Sequence, residues 1–319
     1  MPHFADRLLD AVKAKGNPIC VGLDPRFEQL PAHLREYALR QNQSTSKAIA
    51  EAYLIFNKEI LDALVDIVPV CKPQSAFYEE LGFEGIRVLH ETIQYAKRKK
   101  FIVIADAKRG DIGPTAVAYA RAFLGGPGIP TPRGETELGY QADSVTVNPY
   151  MGSDTMVPYL ETGTPAGQGI FALVKTSNPG SGDLQDLDAG GVPVYEHVAY
   201  MLNKLGETRV GASGFHNVGA VVGATFPSQM KRLRVLMPDS IFLIPGYGAQ
   251  GGTAADAALG FVDGTDGGRG AVVNNSRGLI FAYLQEPYAT QFGSKGFAKA
   301  TRAAAEKMAM ELKEALKNK

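Results

Sequence analysis

The chain contains 319 residues, of which 45% are hydrophobic and 21% are charged, with 33 basic side chains balancing 33 acidic ones. This composition is too apolar for a disordered protein, and the zero net charge argues against a protein that binds nucleic acid or an anionic membrane. The two cysteines, Cys20 and Cys71, cannot by themselves form a disulfide framework or a four-ligand zinc site, and we expect both to be buried, reduced thiols.

The first segment of the chain predicts a helix rather than a targeting or membrane sequence. Leu8, Leu9 and Val12 recur at the spacing of an amphipathic helix, and nearby acidic residues interrupt the continuous apolar core that a signal peptide needs. No apolar stretch reaches the ~20 residues of a membrane-spanning helix. We therefore expect a soluble, cytoplasmic protein without a membrane or nucleic-acid partner.

Eight short runs of apolar and β-branched residues then follow one another along the chain. They cover residues 18–23, 67–72, 101–106, 143–148, 170–175, 218–223, 240–245 and 271–275. Because these runs are continuously apolar rather than alternating, they are typical of strands that are covered on both faces of a parallel sheet. Amphipathic segments that predict helices lie between or after them, at 48–66, 83–98, 192–205, 228–236 and 296–317.

Eight alternations of strand and helix favour an α/β fold of the closed (β/α)8 type, a TIM barrel, over a doubly wound open sheet. We expect residues 1–319 to form one such barrel domain. Three segments dense in glycine, proline and polar residues predict loop insertions, near 31–46, 125–141 and 178–191.

In barrels of this kind the chemistry lies at the C-terminal ends of the strands. The polar residues at these ends are Asp24, Lys72, the segment 106–115, Asn148, Lys175 with Thr176 and Ser177, Gln250, Ser276 and Arg277. This short list is where we look for an active site.

A cluster of charges follows the third predicted strand. Alternation places Asp106 and Lys108 on the same, inward face, and Asp111 lies beyond them in a loop in which Gly110 and Gly113 permit an unusual backbone path. A lysine held by carboxylates stays protonated, which suits proton donation to a carbanion and disfavours a Schiff-base role. The alternative interpretation is an ion pair that only closes the barrel.

The segment DAKRGDIGPT (106–115) resembles the DxKxxDIxxT motif of the orotidine 5′-phosphate decarboxylase family, and its KR pair and the chain length resemble the long bacterial form. Further segments resemble the same family in the same order: VGLDPR (21–26), VCKPQSAFYE (70–79), DSVTVNPYMGSDT (143–155), KTSNPGS (175–181), IPGYGAQGG (244–252) and NNSRGLI (274–280). The first motif alone is shared with a wider sugar-phosphate barrel superfamily, whereas the full set is specific.

The resemblance implies decarboxylation of orotidine 5′-monophosphate to uridine 5′-monophosphate, without a cofactor or a metal. It implies that Lys108 donates a proton to C6 of the pyrimidine, and that Asp106 and Asp111 crowd the substrate carboxylate with negative charge. Asp24 and Lys72 match residues that contact the ribose hydroxyls, and the lysine also completes the charge network.

The remaining implied contacts involve the base and the phosphate. Ser177 matches the residue that contacts the pyrimidine edge, and Gln250 matches the one that bridges base and phosphate. Arg277 matches a phosphate-binding residue, since a guanidinium suits bidentate binding of phosphate, and Ser276 before it is a further substrate-binding candidate. We also expect the glycines of the segment 245–252 to leave backbone N–H groups free to approach a ligand.

The resemblance also implies a homodimer with shared active sites, since the residues that match Asp111 and Thr115 reach into the neighbouring subunit.

Two alternative functions remain open. A metal-dependent keto-sugar-phosphate decarboxylase or synthase of the same superfamily would have no reason for the paired contacts at Ser177 and Gln250. A non-catalytic nucleotide-binding barrel would have no reason for the intact set of Asp106, Lys108 and Asp111.

Overall fold

The structure is a computed structural model that describes residues 1–262 and 268–319. Within these residues the strands are β1 (Ile19–Leu23), β2 (Val70–Pro73), β3 (Ile102–Arg109), β4 (Pro130–Thr131), β5 (Gly134–Glu135), β6 (Ser144–Val147), β7 (Gly169–Lys175), β8 (Val218–Val222), β9 (Phe242–Ile244) and β10 (Ala271–Asn275). All except β4 and β5 are parallel and form a closed barrel in the order β1-β10-β9-β8-β7-β6-β3-β2. This closure confirms the (β/α)8 barrel that the eight alternations predict.

Helices surround the barrel. They are α1 (Phe4–Lys15), α2 (Ala32–Gln41), α3 (Thr45–Leu64), α4 (Ala76–Glu79), α5 (Phe83–Arg98), α6 (Gly113–Leu124), α7 (Val157–Gly163), α8 (Gly182–Gln185), α9 (Val194–Gly206), α10 (Pro227–Leu236), α11 (Ala254–Ala258), α12 (Arg277–Ile280), α13 (Tyr288–Phe292) and α14 (Phe297–Lys317). The five helices predicted between or after the strands correspond to α3, α5, α9, α10 and α14. Their boundaries differ by at most three residues from those that the apolar spacing indicates.

The segment 31–46 differs from the sequence-based expectation, because it is mostly helix α2 rather than a loop. Leu34 and Ala38 lie one helical turn apart and are both buried, and α2 packs beside α3. Polar residues on the outer face conceal this narrow apolar stripe in the sequence. The segment 125–141 contains the exposed β4–β5 hairpin, and 178–191 contains the single turn of α8.

In most strands of the barrel, successive apolar residues alternate between two hydrophobic clusters. One cluster contains inward positions of the barrel together with α1, and includes Phe4, Leu8, Cys20, Val70, Ile104, Phe171 and Val272. The other contains the intervening strand residues, such as Val21 and Cys71, packed against the surrounding helices. Because Phe4 lies against Gly169, the first residue of β7, α1 covers the N-terminal end of the barrel. This leaves the C-terminal end for the site.

Both thiols are fully buried and free, as predicted, and they lie in different clusters. Burial raises the pKa of Cys20 to about 12, so this thiol stays protonated and unreactive at neutral pH. Across residues 1–262 and 268–319, no helix is both long enough and apolar enough to span a membrane.

Candidate active site

Eight of the ten candidate residues line one cavity of about 510 Å³ at the C-terminal end of the barrel. They are Asp24, Lys72, Asp106, Lys108, Ser177, Gln250, Ser276 and Arg277. Seven of them lie in the C-terminal part of a barrel strand or within two residues of its end, and Gln250 lies six residues beyond β9. They meet because the carboxyl ends of parallel strands converge on one mouth. The fold therefore brings together polar residues that are up to 253 positions apart in the chain.

Asp106 is the centre of a hydrogen-bonded charge network. Its Oδ2 accepts from Nζ of Lys72 at 2.6 Å, and its Oδ1 accepts from Nζ of Lys108 at 2.5 Å. The side chain of Gln74 donates to Oδ2 at 3.0 Å, and Oγ1 of Thr146 donates to Oδ1 at 2.9 Å. Four donors thus satisfy both oxygens, and this arrangement favours the ionised carboxylate.

Burial by itself would raise the pKa of Asp106, but the ammonium groups of Lys72 and Lys108 outweigh burial and hold that pKa far below its usual range. Burial also opposes the charged form of Lys72, yet attraction from Asp106, and then from Asp24, raises the pKa of Lys72 above its usual value. Asp106 is therefore anionic and Lys72 cationic throughout the neutral pH range.

The two lysines differ in access to the cavity. The side chain of Lys72 is 6% exposed, whereas that of Lys108 is 44% exposed. Lys72 therefore acts as a buried countercharge, and Lys108 presents the ammonium group that a ligand can reach.

The backbone at the charge cluster is irregular. The pairing register of β3 with β6 shifts between Ala105 and Arg109, and Lys108 has a φ of 50°, in the left-handed region. Such a conformation costs roughly 1–3 kcal/mol in a residue other than glycine. We expected the unusual backbone at Gly110 and Gly113; it occurs at Gly113 (φ 48°), but Lys108 rather than Gly110 carries the other left-handed position.

Ser177 and Gln250 meet on the cavity wall, although they lie 73 positions apart in the chain. Oγ of Ser177 donates to Oε1 of Gln250 at 2.7 Å. This hydrogen bond joins the loop after β7 to the loop after β9. Two residues that the motifs single out separately are therefore one unit in the structure.

The glycines of the loop after β9 have a different function from the one expected. Gly246, Gly248 and Gly251 have φ values of 94°, 70° and 96°, a region that favours glycine. The N–H of Gly248 donates to the carbonyl of Gly252, that of Gly251 to Gly248, and that of Gly252 to Gly246. The expectation of free N–H groups is therefore wrong for Gly248, Gly251 and Gly252. The loop folds on itself, and this fold places Gln250 at the cavity.

Sequence reasoning missed several residues of the cavity. Gln74 and Thr146 bind Asp106, and Asn274, a buried residue of β10, has an Oδ1 atom that accepts no hydrogen bond from the described residues. A weak signal was present for Thr146, a polar residue in the middle of an apolar run. Position 22 also requires a glycine, because a Cβ atom there would lie 1.8 Å from Oγ of Ser276 and would displace that side chain.

Asp111 and Thr115 are the two candidates that do not line the cavity of their own chain. Oδ1 of Asp111 accepts from the backbone N–H of Ile112 at 2.8 Å. Thr115 is exposed on α6, and the side chain of Ile112 between them is 60% exposed. Neither candidate therefore contributes to the cavity that contains the charge network of its own chain.

Lys175 ends β7 but does not line the cavity, because the register shifts between Leu173 and Lys175 and turns its side chain away. This lysine is completely buried. Its Nζ donates to both carboxylate oxygens of Asp186, at 2.7 and 2.8 Å, and to Oγ of Ser181 at 3.2 Å, and it lies 4.4 Å from the ring centre of Phe226. The buried lysine thus ties the segment 178–191 to the barrel.

Removal of Asp186 should cost more stability than removal of Lys175, because Asp186→Ala leaves a buried ammonium group without its countercharge. Since the Asp186 side chain is 40% exposed, we expect a loss of about 2–3 kcal/mol in the free energy of unfolding, below the ~3–5 kcal/mol typical of fully buried pairs. Lys175→Met should cost less, and combining Lys175→Met with Asp186→Ala should cost less than Asp186→Ala alone. Urea denaturation of the three variants measures this order, and an equal loss in both single variants would contradict it.

Comparison with known proteins identifies relatives along the whole chain. The sequence model of the orotidine 5′-phosphate decarboxylase / HUMPS family matches residues 17–287, which include all the barrel strands and all ten candidate residues. The chain is similar to the orotidine 5′-phosphate decarboxylase of Rhodopirellula baltica, with 44% identity over 314 residues, 98% of this chain and 100% of that protein.

Further relatives agree with this match. The orotidine 5′-phosphate decarboxylase of Clostridium acetobutylicum is 39% identical over 312 residues, covering 98% of this chain and 99% of that protein. Among solved structures, OMP decarboxylase from Leishmania donovani is 31% identical, with a TM-score of 0.69 and coverage of 98% of each chain.

Proposed function

Because the chain belongs to the orotidine 5′-phosphate decarboxylase family and converts orotidine 5′-monophosphate to uridine 5′-monophosphate in pyrimidine synthesis, we propose that Lys108 donates the proton that replaces the carboxyl group at C6. The observation that carries this role is the exposure of its ammonium group to the cavity, where its Nζ donates to Oδ1 of Asp106 at 2.5 Å.

The proposed step balances within the site. The bond between C6 and the carboxyl carbon breaks, its electron pair remains on C6, and carbon dioxide leaves. The ammonium group of Lys108 stabilises this carbanion and transfers a proton to C6, and the resulting amine takes a proton from water. Since the attraction between Lys108 and C6 grows as negative charge develops, the interaction is stronger in the transition state than in the ground state.

Asp106 has a second role in this proposal. Its carboxylate remains ionised and lies beside the position where Lys108 meets the substrate. A substrate carboxylate placed there experiences repulsion that is relieved when carbon dioxide departs. Lys72 offsets part of the charge and keeps Asp106 in place.

The rest of the nucleotide fits the remaining residues of the cavity. We assign the phosphate to Arg277 and Ser276, and the pyrimidine edge to the hydrogen-bonded pair of Ser177 and Gln250. Asp24 supports the ribose assignment, because its buried Oδ1 has no hydrogen-bond partner among the described residues and can accept from a hydroxyl group.

We propose that residues 1–319 work as one barrel domain, in the cytoplasm, and that two chains form a homodimer with shared sites. In this arrangement Asp111 and Thr115 contribute to the cavity of the neighbouring subunit. The exposure of Thr115, the partial exposure of Asp111, and the position of both outside the cavity of their own chain support the assignment.

A complementation experiment tests the shared site. Chains with Lys108→Ala and chains with Asp111→Ala are each expected to be inactive. In a mixed dimer, one cavity combines an intact Lys108 from one chain with an intact Asp111 from the other, whereas the second cavity has both defects. Mixing under conditions of subunit exchange should therefore restore activity, up to one functional site per mixed dimer, as measured by the loss of orotidine 5′-monophosphate absorbance.

The matched control pairs Lys108→Ala with Lys72→Ala. Both lysines line the cavity of their own chain, so each cavity of that mixed dimer keeps one defect and no activity should return. If mass spectrometry shows subunit exchange but the first pair stays inactive, Asp111 acts within its own subunit and the shared-site proposal fails.

A further inference from the structure

The side chain of Thr146 joins the two charged residues at the centre of the site. Thr146 belongs to β6 and is 1% exposed. Its Oγ1 accepts from the backbone N–H groups of Ala107 and Lys108, both at 2.9 Å, and donates to Oδ1 of Asp106 at 2.9 Å. A hydroxyl group has one donor and two acceptor positions, so three consecutive residues of β3 use its whole capacity.

The local backbone explains why such a hydroxyl is needed. The register of β3 against β6 shifts between Ala105 and Arg109, and within this interval the N–H groups of Ala107 and Lys108 both donate to the side chain of Thr146. Lys108 also has the left-handed φ of 50°. A conformation of this kind persists only where the surroundings enforce it, and the Thr146 hydroxyl is the contact that reaches both of these N–H groups.

Thr146 therefore holds Lys108 at two points. One point is the backbone N–H of Lys108, which donates to the Thr146 hydroxyl. The other is the carboxylate of Asp106, which accepts from both the Thr146 hydroxyl and the ammonium group of Lys108. A lysine side chain is long and flexible, so these two points restrict where its Nζ lies in the cavity.

We propose that Thr146 is a positioning residue for the decarboxylation, which acts by holding the backbone of Lys108 and the carboxylate of Asp106 in the arrangement that places the ammonium group at C6. This inference rests on the proton-donor role proposed for Lys108. The hydroxyl group of Thr146 does not itself react. It lies on the neighbouring strand and determines how well Lys108 donates its proton.

Two substitutions separate the hydroxyl group from the volume of the side chain. Thr146→Val keeps the shape and removes all three hydrogen bonds, and we expect kcat to fall by about 10²-fold, the loss associated with a misplacement of roughly 1 Å. KM should change little, since the hydrogen bonds of the Thr146 side chain go to residues of β3 and not to Arg277 or to the pair of Ser177 and Gln250. Thr146→Ser keeps the hydroxyl and should retain kcat close to that of the unsubstituted protein.

A second measurement reports on the lysine directly. The reverse of the proton-donation step is removal of the C6 proton from bound uridine 5′-monophosphate, so the enzyme in D₂O should exchange this proton for deuterium. Thr146→Val should slow the exchange by about the same factor as kcat, about 10²-fold, and Thr146→Ser should restore it. A role confined to stability would lower the melting temperature without changing either rate at temperatures where the protein is folded.

Thr301→Val is the matched control. Thr301 is also fully buried and its Oγ1 donates to the carbonyl of Phe297 at 3.0 Å, but it lies on α14, outside the cavity. This substitution removes a buried threonine hydroxyl and should leave kcat and the exchange rate unchanged. If Thr146→Val does not fold, Thr146→Cys, which has only a weak hydrogen-bonding group, should show the same loss relative to Thr146→Ser.

The outcomes distinguish this inference from the role of Lys108. Full activity in Thr146→Val, with Lys108→Ala inactive, would overturn the positioning role and leave the proton donor intact. Equal losses in Thr146→Val and Thr146→Ser would also overturn it, since the hydroxyl would then not be the cause. Substantial activity in Lys108→Ala would instead reject the proton-donor role itself.

Discussion

Lys108→Ala should reduce turnover of orotidine 5′-monophosphate by about 10³-fold or more. Enzymes lower reaction barriers by ~8–23 kcal/mol, and a group that both stabilises the carbanion and supplies its proton accounts for a large part of this reduction. Half of the smallest value is ~4 kcal/mol, which corresponds to about 10³-fold in rate. The substitution also leaves Asp106 facing the substrate carboxylate without the ammonium group on its Oδ1 side. Both effects act in the same direction.

Loss of ultraviolet absorbance by orotidine 5′-monophosphate measures this turnover. Lys99→Ala is a suitable control, because Lys99 is a partly exposed lysine directly after α5 that pairs with Asp62 and does not line the cavity. Lys99→Ala should keep normal turnover, and circular dichroism should show that both variants are folded. If Lys108→Ala retained a tenth of normal turnover, Lys108 would not be the proton donor.

Arg277→Ala should weaken binding of the nucleotide and also slow its conversion. Truncating one member of a buried, charge-assisted pair costs about 2–5 kcal/mol. Arg277 is exposed in the structure, so this range applies once the bound nucleotide covers the guanidinium, and we expect its upper half because a phosphate offers the guanidinium two parallel hydrogen bonds. In kcat/KM this corresponds to a loss of about 10³-fold. The value of kcat should fall as well as KM rise, since binding energy from the remote phosphate contributes to placing C6 against Lys108.

Orotidine without its phosphate provides the diagnostic comparison. The unsubstituted protein should process orotidine far more slowly than the nucleotide, and Arg277→Ala should process orotidine as the unsubstituted protein does. Arg302→Ala, which removes a surface arginine of α14 paired with Asp66, controls for loss of positive charge. Equal rates for orotidine and its phosphate in the unsubstituted protein would show that the phosphate assignment is wrong.

Much of the fold follows from local patterns in the sequence. A strand in the wall of a parallel barrel is covered on both faces, so its residues are continuously apolar, and a helix packed on the outside shows the period of its buried face. Helix α5 occupies the predicted residues, and β10 (Ala271–Asn275) does as well. The narrow stripe of α2, only Leu34 and Ala38, was too weak a pattern for such an argument.

The position of most site residues could also be predicted, because strand ends must converge once the barrel closes. Asp24, Lys72 and Arg277 come directly at or after apolar runs, and all three line the cavity. Lys175 satisfied the same criterion, yet its side chain is buried against Asp186. Strand ends identify candidates, and only the local register determines which of them point inward.

The sequence by itself therefore determined the barrel, the end of it that carries the polar residues, and the family resemblance of their motifs. Only the tertiary structure decided the orientation of individual side chains: the left-handed Lys108, the outward turn of Lys175, and the bond between Ser177 and Gln250. The physical reason is the range of the interactions. Apolar periodicity and strand ends are local properties of the chain, whereas a register shift depends on neighbours such as Thr146, 38 positions from Lys108 and brought beside it by the closed sheet.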